Sequence, residues 1–223
     1  MGFFRTIRRS SQVLACSDTY SLSVPSKTKG IIDAVRQREN QDRFLLVVSH
    51  FPETFFQIQD AFNDEGIAYE LVEEPTSGDI VDQWRDEANH GRVRLALASL
   101  LQTDLDDEPR YQRTPSSMIV CERHPLPRHD RRLREFCGYL GCPMRLGYFV
   151  SLKDPIVKPL VGEWTEMVLR QMGLRDHELV TSHLVSRRLE VGFRKLDRRV
   201  IEEHAADSPD EWLRLNAPWL LKG

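Results

Sequence analysis

The sequence predicts an α/β domain, a mostly parallel sheet with helices on both faces, followed by a helical extension. Three observations carry this. Short apolar runs alternate with segments of helical periodicity along most of the chain. One run, FLLVVSH (Phe44–His50), is continuously apolar and rich in β-branched residues, as a strand covered on both faces must be. After Asp154 the strand signal ends and helical periodicity remains.

The elements follow in order. Residues 12–24 hold a short apolar piece, QVLAC, then polar residues. Ser26–Arg38 places Ile31, Ile32 and Val35 at helical spacing. After the Phe44–His50 strand, Pro52–Glu65 reads as a helix with Phe55, Phe56, Ile58 and Phe62 turned inward, stopped by Gly66. Ile67–Val72 is the second strand. Ser77-Gly78-Asp79 opens a helix through Ile80, Val81 and Trp84. Arg92–Ser99, Ser117–Cys121 and Gly147–Leu152 complete the strands. The acidic, proline-containing stretch from Gln102 to Ser116 reads as a surface loop. Helical periodicity returns in Trp164–Met172, Val185–Ile201 and Trp212–Leu221. Ser208-Pro209-Asp210-Glu211 gives the last helix a capping serine, a proline in the first turn and an acidic residue three after the cap.

The chain has 223 residues, 31 Lys plus Arg against 34 Asp plus Glu, and a net charge of -3. That balance does not predict nucleic-acid binding or a membrane-coating surface. No apolar run is long enough to cross a bilayer. The start, MGFFRTIRRSS, has charge without a following apolar stretch, so a cytoplasmic protein is expected. The four cysteines, Cys16, Cys121, Cys137 and Cys142, are expected to be reduced. A zinc set of Cys121, His124, Cys137 and Cys142 is the weaker reading, because Cys121 ends an apolar run. His124 and His129, with Pro125 and Pro127 between them, have no regular metal-ligand spacing.

The most specific stretch runs from Cys121 to Asp154, CERHPLPRHDRRLREFCGYLGCPMRLGYFVSLKD. It resembles the last motor motif of the SecA family, the ATPase that drives protein export in bacteria. Glu122-Arg123-His124, Asp130, Leu133-Arg134, Gly138, Gly141, Pro143 and Ser151-Leu152-x-Asp154 fall at the family's positions without a gap. FLLVVSHFPETFFQIQDAFNDEGIAYELV, with Ser49 and Glu53, and MGLRDHELVTSHLVSRRLEVGFRKLDRR resemble flanking segments of the same family, as do Phe3-Arg5 and Arg8-Arg9. The resemblance implies a RecA-like domain of the P-loop NTPase second-domain type over residues 1–153. It implies the start of the family's helical scaffold over 154–223.

The departures imply the chemistry. The family carries two arginines that reach the nucleotide phosphates, where this chain has Phe136 and Tyr139. No G-x-x-x-x-G-K-[ST] loop occurs in the chain, and the resembling region is expected to lack a preceding first motor half. Leu100 and Leu101 replace small residues of a glycine- and arginine-rich turn. The expectation is a degenerate, non-catalytic domain that binds no ATP, cofactor or metal and works through a protein partner or self-association. The alternative is half of an ATPase assembled in trans with a chain that carries the phosphate loop.

Glu122, Arg123, His124, Arg134, Phe136, Tyr139, Trp212 and Trp219 are the candidate structural or interaction residues. Glu122 and Arg123 are expected to pair and tie the strand ending at Cys121 to the helix beginning near Arg128. Arg128, His129, Arg131, Arg132 and Arg134 read as a solvated helix face rather than a phosphate site. Phe136 and Tyr139 are either filled core or a docking face. Trp212, Leu215, Trp219 and Leu220 form a stripe that closes the core or binds a partner.

Overall fold

The computed structural model describes residues 13–15, 18–39, 44–86, 92–102 and 115–221. Phe3-Arg5, Arg8-Arg9, Cys16 and most of the Gln102–Ser116 loop lie outside the described residues.

The strands are β1 (Val13–Ala15), β2 (Thr19–Ser21), β3 (Phe44–Ser49), β4 (Tyr69–Val72), β5 (Arg92–Leu97), β6 (Ser116–Val120), β7 (Met144–Ser151) and β8 (Leu179–Thr181). The helices are α1 (Val24–Arg38), α2 (Pro52–Asp64), α3 (Gly78–Asp86), α4 (Pro127–Tyr139), α5 (Lys158–Val161), α6 (Glu163–Gln171), α7 (His183–Arg199) and α8 (Pro209–Asn216). Short 3₁₀ turns cover Ala98–Leu100 and Pro218–Leu220.

Among the described residues the strands form one eight-stranded sheet in the order β4-β5-β3-β6-β7-β2-β8, with β1 also beside β7. Every pairing is parallel except that of β8 with β2. This is the α/β architecture that the sequence predicts. β1 and β2 both lie along β7, pairing with Met144–Leu146 and Phe149–Ser151 respectively. The chain leaves β3 toward the β5–β4 side and returns at β6 on the other. The crevice between the carboxyl ends of β3 and β6 is therefore the topological switch point, where α/β sheets usually take ligands.

Period-two alternation divides the central strands between two apolar layers. Leu46 and Val48 of β3, with Met118 and Val120 of β6, face the layer built with α4, α7 and α8. Leu45 and Val47, with Ile119 and Cys121, face the layer that holds Ile31, Val35, Ile58 and Phe62 of α1 and α2. That is why Phe44–Ser49 reads as one unbroken apolar run. Gly66 ends α2 at φ 65, where any Cβ is strained, and the Ile67 N–H closes back on the Phe62 carbonyl at 2.9 Å.

The segment after Asp154 is integrated with the sheet. β8 adds the antiparallel edge, and Gly30 of α1 lies against it so closely that a Cβ would stand 2.4 Å from Leu179 Cδ1. Val185, Leu189 and Phe193 of α7 and Trp212 and Leu213 of α8 join the first apolar layer. Ser208 caps α8 as its motif predicts, accepting from the Glu211 N–H at 3.1 Å. The C-terminal stripe divides: Trp212 is 1% exposed and seals the core, while Leu215 is 48% and Trp219 37% exposed.

Trp212→Ala is expected to cost about 3–5 kcal/mol in urea unfolding, as deletion of a fully buried aromatic does. Truncation after Asp207 is expected to lower the melting temperature and bind a hydrophobic dye. An unchanged melt for both would place α8 outside the core.

Candidate functional site

The polar residues of the Cys121–Asp154 stretch collect at the carboxyl ends of β3, β6 and β7. Glu122 leaves β6 into the switch-point crevice. Its Oε1 accepts from the backbone N–H of His50 and, at 3.3 Å, from that of Phe51. Phe51 is the N-cap position of α2, has no side-chain cap of its own, and is followed by Pro52. The Glu122 carboxylate therefore caps α2 from across the sheet, where the helix dipole favours an anion. Burial pushes the Glu122 carboxyl above its usual range, against the opposing pull of His50 and Lys27.

Lys27 of α1 lies beside this group. Its Nζ meets Asp154 Oδ1 at 2.7 Å, with side chains only 7% and 10% exposed. Burial works against the Lys27 charge, but Asp154 and Glu122 outweigh it and hold its pKa above the ordinary 10.5. Asp154 Oδ2 accepts from the Ser151 N–H at 2.8 Å, which fixes the turn after β7. The Ser151-Leu152-x-Asp154 spacing thus supplies a turn and a counter-charge.

Arg123 points another way. Its Nε lies 3.1 Å from Asp130 Oδ2 and its Nη1 3.5 Å from Asp18 Oδ1, and its guanidinium stacks 4.3 Å from the Tyr148 ring centroid. Asp130 Oδ1 also meets His50 Nε2 at 3.1 Å. The expected Glu122–Arg123 pair is replaced by two separate ties. Both residues follow β6 at a bend, and their side chains diverge, Glu122 to α2 and Arg123 to α4.

His124 takes a third direction. It stacks on Phe51 at 5.4 Å with planes 12° apart, and its ring lies 3.8 Å from that of His129. Glu203, in the segment between α7 and α8, gathers the group. It accepts from His129 Nε2 at 2.7 Å, Arg128 at 2.9 Å and Trp212 Nε1 at 2.9 Å, with His124 Nε2 3.5 Å away. Spacing gave no hint that His124 and His129 meet, because the proline-containing turn between them and the return of residue 203 decide it.

Ligand atoms of His124, His129 and Glu203 lie within 4.8 Å of one another. The hydrogen bonding does not fit a metal. His124 Nδ1 accepts from the Leu126 N–H at 3.1 Å, which puts the ring proton on Nε2, the atom that would have to coordinate. Glu203 already takes three donors, one an arginine. Cys121, Cys137 and Cys142 are buried free thiols, and Cys137 and Cys142 face Met118 and Met144 sulfurs at 3.8 and 3.6 Å. Burial raises the Cys121 and Cys137 thiols to about 12, which leaves them unreactive at neutral pH.

The remaining candidates separate. Phe136 is 0% exposed within the first apolar layer, and Leu101 is buried there too. Tyr139 is half-buried and Arg134 exposed. The Arg199 guanidinium lies 5.6 Å over the Trp219 ring.

No family model matches the chain. Protein translocase subunit SecA 1 of Rhodopirellula baltica is 33% identical over 85 residues, 38% of this chain and 7% of that protein. Protein translocase subunit SecA of Xanthomonas campestris pv. campestris is 31% identical over 80 residues, 36% of this chain and 9% of that protein. The chain is thus partially and distantly similar to SecA proteins and spans less than a tenth of their length. The C-terminal part of the Fun30 ATPase domain superposes with a TM-score of 0.41 at 10% identity, over 76% of this chain and 54% of that one, a likeness too low to carry argument.

Two outcomes follow from this geometry. In double-mutant cycles, Arg123→Ala with Asp130→Ala is expected to couple by more than about 1 kcal/mol. Glu122→Ala with Arg123→Ala is expected to be additive within roughly 0.5 kcal/mol. The reverse ranking would restore the direct pair. The second outcome concerns pH. Burial, with His50 and His129 beside it, holds His124 well below its ordinary 6.5, and burial lowers His129 as well. The unfolded chain then binds protons that the fold refuses. Stability is full above about pH 6.5 and falls as the pH drops below it. His124→Phe, which keeps the stack on Phe51, is expected to flatten that slope in urea melts from pH 7 to 5. An unchanged slope would show that His124 does not contribute.

Proposed function

We propose that this chain is a non-catalytic relative of the SecA second motor domain that acts as a protein-interaction or scaffolding module linked to protein translocation. One observation carries the reading. Phe136, where the resembled family has a phosphate-reaching arginine, is 0% exposed and packed in the core. No side chain at that position can reach a phosphate without dismantling the first apolar layer. Tyr139, at the second position, has no guanidinium. Loss of one such arginine costs roughly 10³–10⁵ in rate.

Two further features support the same reading. The chain contains no phosphate-binding loop pattern. The switch-point crevice is occupied by the chain's own Glu122, which takes the anion position at the start of α2. What remains of the motor motif therefore does structural work. Glu122 caps a helix, Arg123 and Asp130 join β6 to α4, and His124 abuts the Glu203 cluster.

The purified chain is expected to show no ATP affinity by calorimetry and no turnover above a buffer control. Turnover appearing only with a second chain that holds a phosphate loop would establish assembly in trans instead. Phe136→Arg is expected to create no activity and to destabilise strongly, because it buries an unpaired charge. Activity gained in that variant would overturn the reading.

A further inference from the structure

A groove of about 330 Å³ runs between α4 and α7. Its lining brings together arginines from three elements: Arg123 after β6, Arg131 and Arg134 on α4, and Arg194 on α7. Phe193 adds an apolar wall. Arg131, Arg134 and Arg194 are exposed, and Arg194 Nε donates to the Glu190 carbonyl at 3.2 Å.

The carboxylates that line the groove are Asp130 and Glu190. Asp130 is already shared between Arg123 and His50, and Asp18 faces Arg123 from behind. Arg128, on the same helix, is committed to Asp197 and Glu203. Four guanidiniums against Asp130, Glu190 and Asp18 leave a local excess of one positive charge, carried by Arg131, Arg134 and Arg194, in a chain whose net charge is -3.

We infer that this groove docks an acidic segment of a partner protein. The inference rests on the non-catalytic reading above and names the chemistry of its partner. Guanidinium forks match carboxylates in bidentate geometry, and each charge-assisted bond is about twice as strong as a neutral one. Arg131 and Arg134 lie three apart on one helix face, with Arg194 across from them, so the charges are spread along the groove. Several carboxylates carried on one chain fit that spread better than a single small anion. A nucleic acid is disfavoured by the negative total charge, although α7 also exposes Arg187, Arg188, Lys195, Arg198 and Arg199.

The test is fluorescence anisotropy with a labelled ten-residue peptide of Glu and Asp containing two leucines, at 50 and 300 mM salt. Binding is expected at low salt and is expected to weaken at high salt. Arg131→Glu with Arg194→Glu is expected to weaken it about tenfold or more, the loss of roughly one charge-assisted bond. Lys29→Glu, a charge reversal on the exposed face of α1, is expected to leave it unchanged. Arg131→Gln with Arg194→Gln keeps the test valid if the reversed charges lower the melting temperature. No peptide binding, binding indifferent to both pairs of changes, or preference for a single-stranded RNA oligonucleotide would overturn the inference. ATP turnover is measured on the same preparations. Its absence alongside failed peptide binding removes this inference alone, whereas turnover overturns the non-catalytic reading and this inference with it.

Discussion

The carboxylate of Glu122, buried at the carboxyl ends of β3 and β6, is the constraint on which the rest depends. α2 begins with a phenylalanine in the cap position and a proline after it, so nothing local satisfies its first N–H groups. Leaving a buried N–H unpaired costs about 1–3 kcal/mol. Glu122 meets part of that demand from the other side of the switch point, by accepting from His50 and Phe51, and the Asp207 carbonyl accepts from the Glu53 N–H at 2.9 Å. The same group needs a nearby cation, and Lys27 with Asp154 supplies a compensated one. β3, β6, α1, α2 and the turn after β7 are thereby joined through one charge. The arrangement also takes up the place where such sheets bind anions.

Around that centre, the fold is tied in sequence order by residues that point apart. Arg123 carries the connection to α4 through Asp130 and onward to His50. His124 carries it to Phe51 and to the Glu203 cluster, where Trp212 joins the last helix to the core. Burial opposes the Glu203 charge, but hydrogen bonds from His129 and Trp212 outweigh it and hold the carboxyl below its ordinary range. A side chain satisfied by that many donors is a structural hub. The same saturation argues against metal at this position, despite the proximity of two imidazoles.

Much of the fold was legible in the sequence because it rests on local periodicity and on cap motifs. The Phe44–His50 run, the α2 helix with Gly66 behind it, and the Ser208 capping motif each appear where periodicity and cap chemistry place them, but Phe56, expected inward on α2, is 58% exposed because Thr54, Ile58 and Phe62 take the buried face. The three-residue strands β1, β2 and β8 are too short to hold a period and depend on β7 and β2 for their definition. At the site, Glu122, Arg123 and His124 were identifiable from the motif, but their partners were not. Adjacency in sequence invited a Glu–Arg pair, whereas the bend after β6 sends the two side chains to different helices. The meeting of His124, His129 and Glu203 joins residues up to 79 positions apart, 203 minus 124, and no local signal encodes it. The Arg194 wall of the α4–α7 groove is long-range in the same sense.

Amide hydrogen exchange at His50 and Phe51 tests the central claim most directly. If Glu122 holds the start of α2 as described, both amides exchange only through global unfolding, with protection matching that of the β3 core amides. Glu122→Gln should then release these two amides to fast local exchange while β3 stays protected. Rapid exchange of His50 and Phe51 in the unaltered chain, or protection that survives Glu122→Gln, would contradict the account.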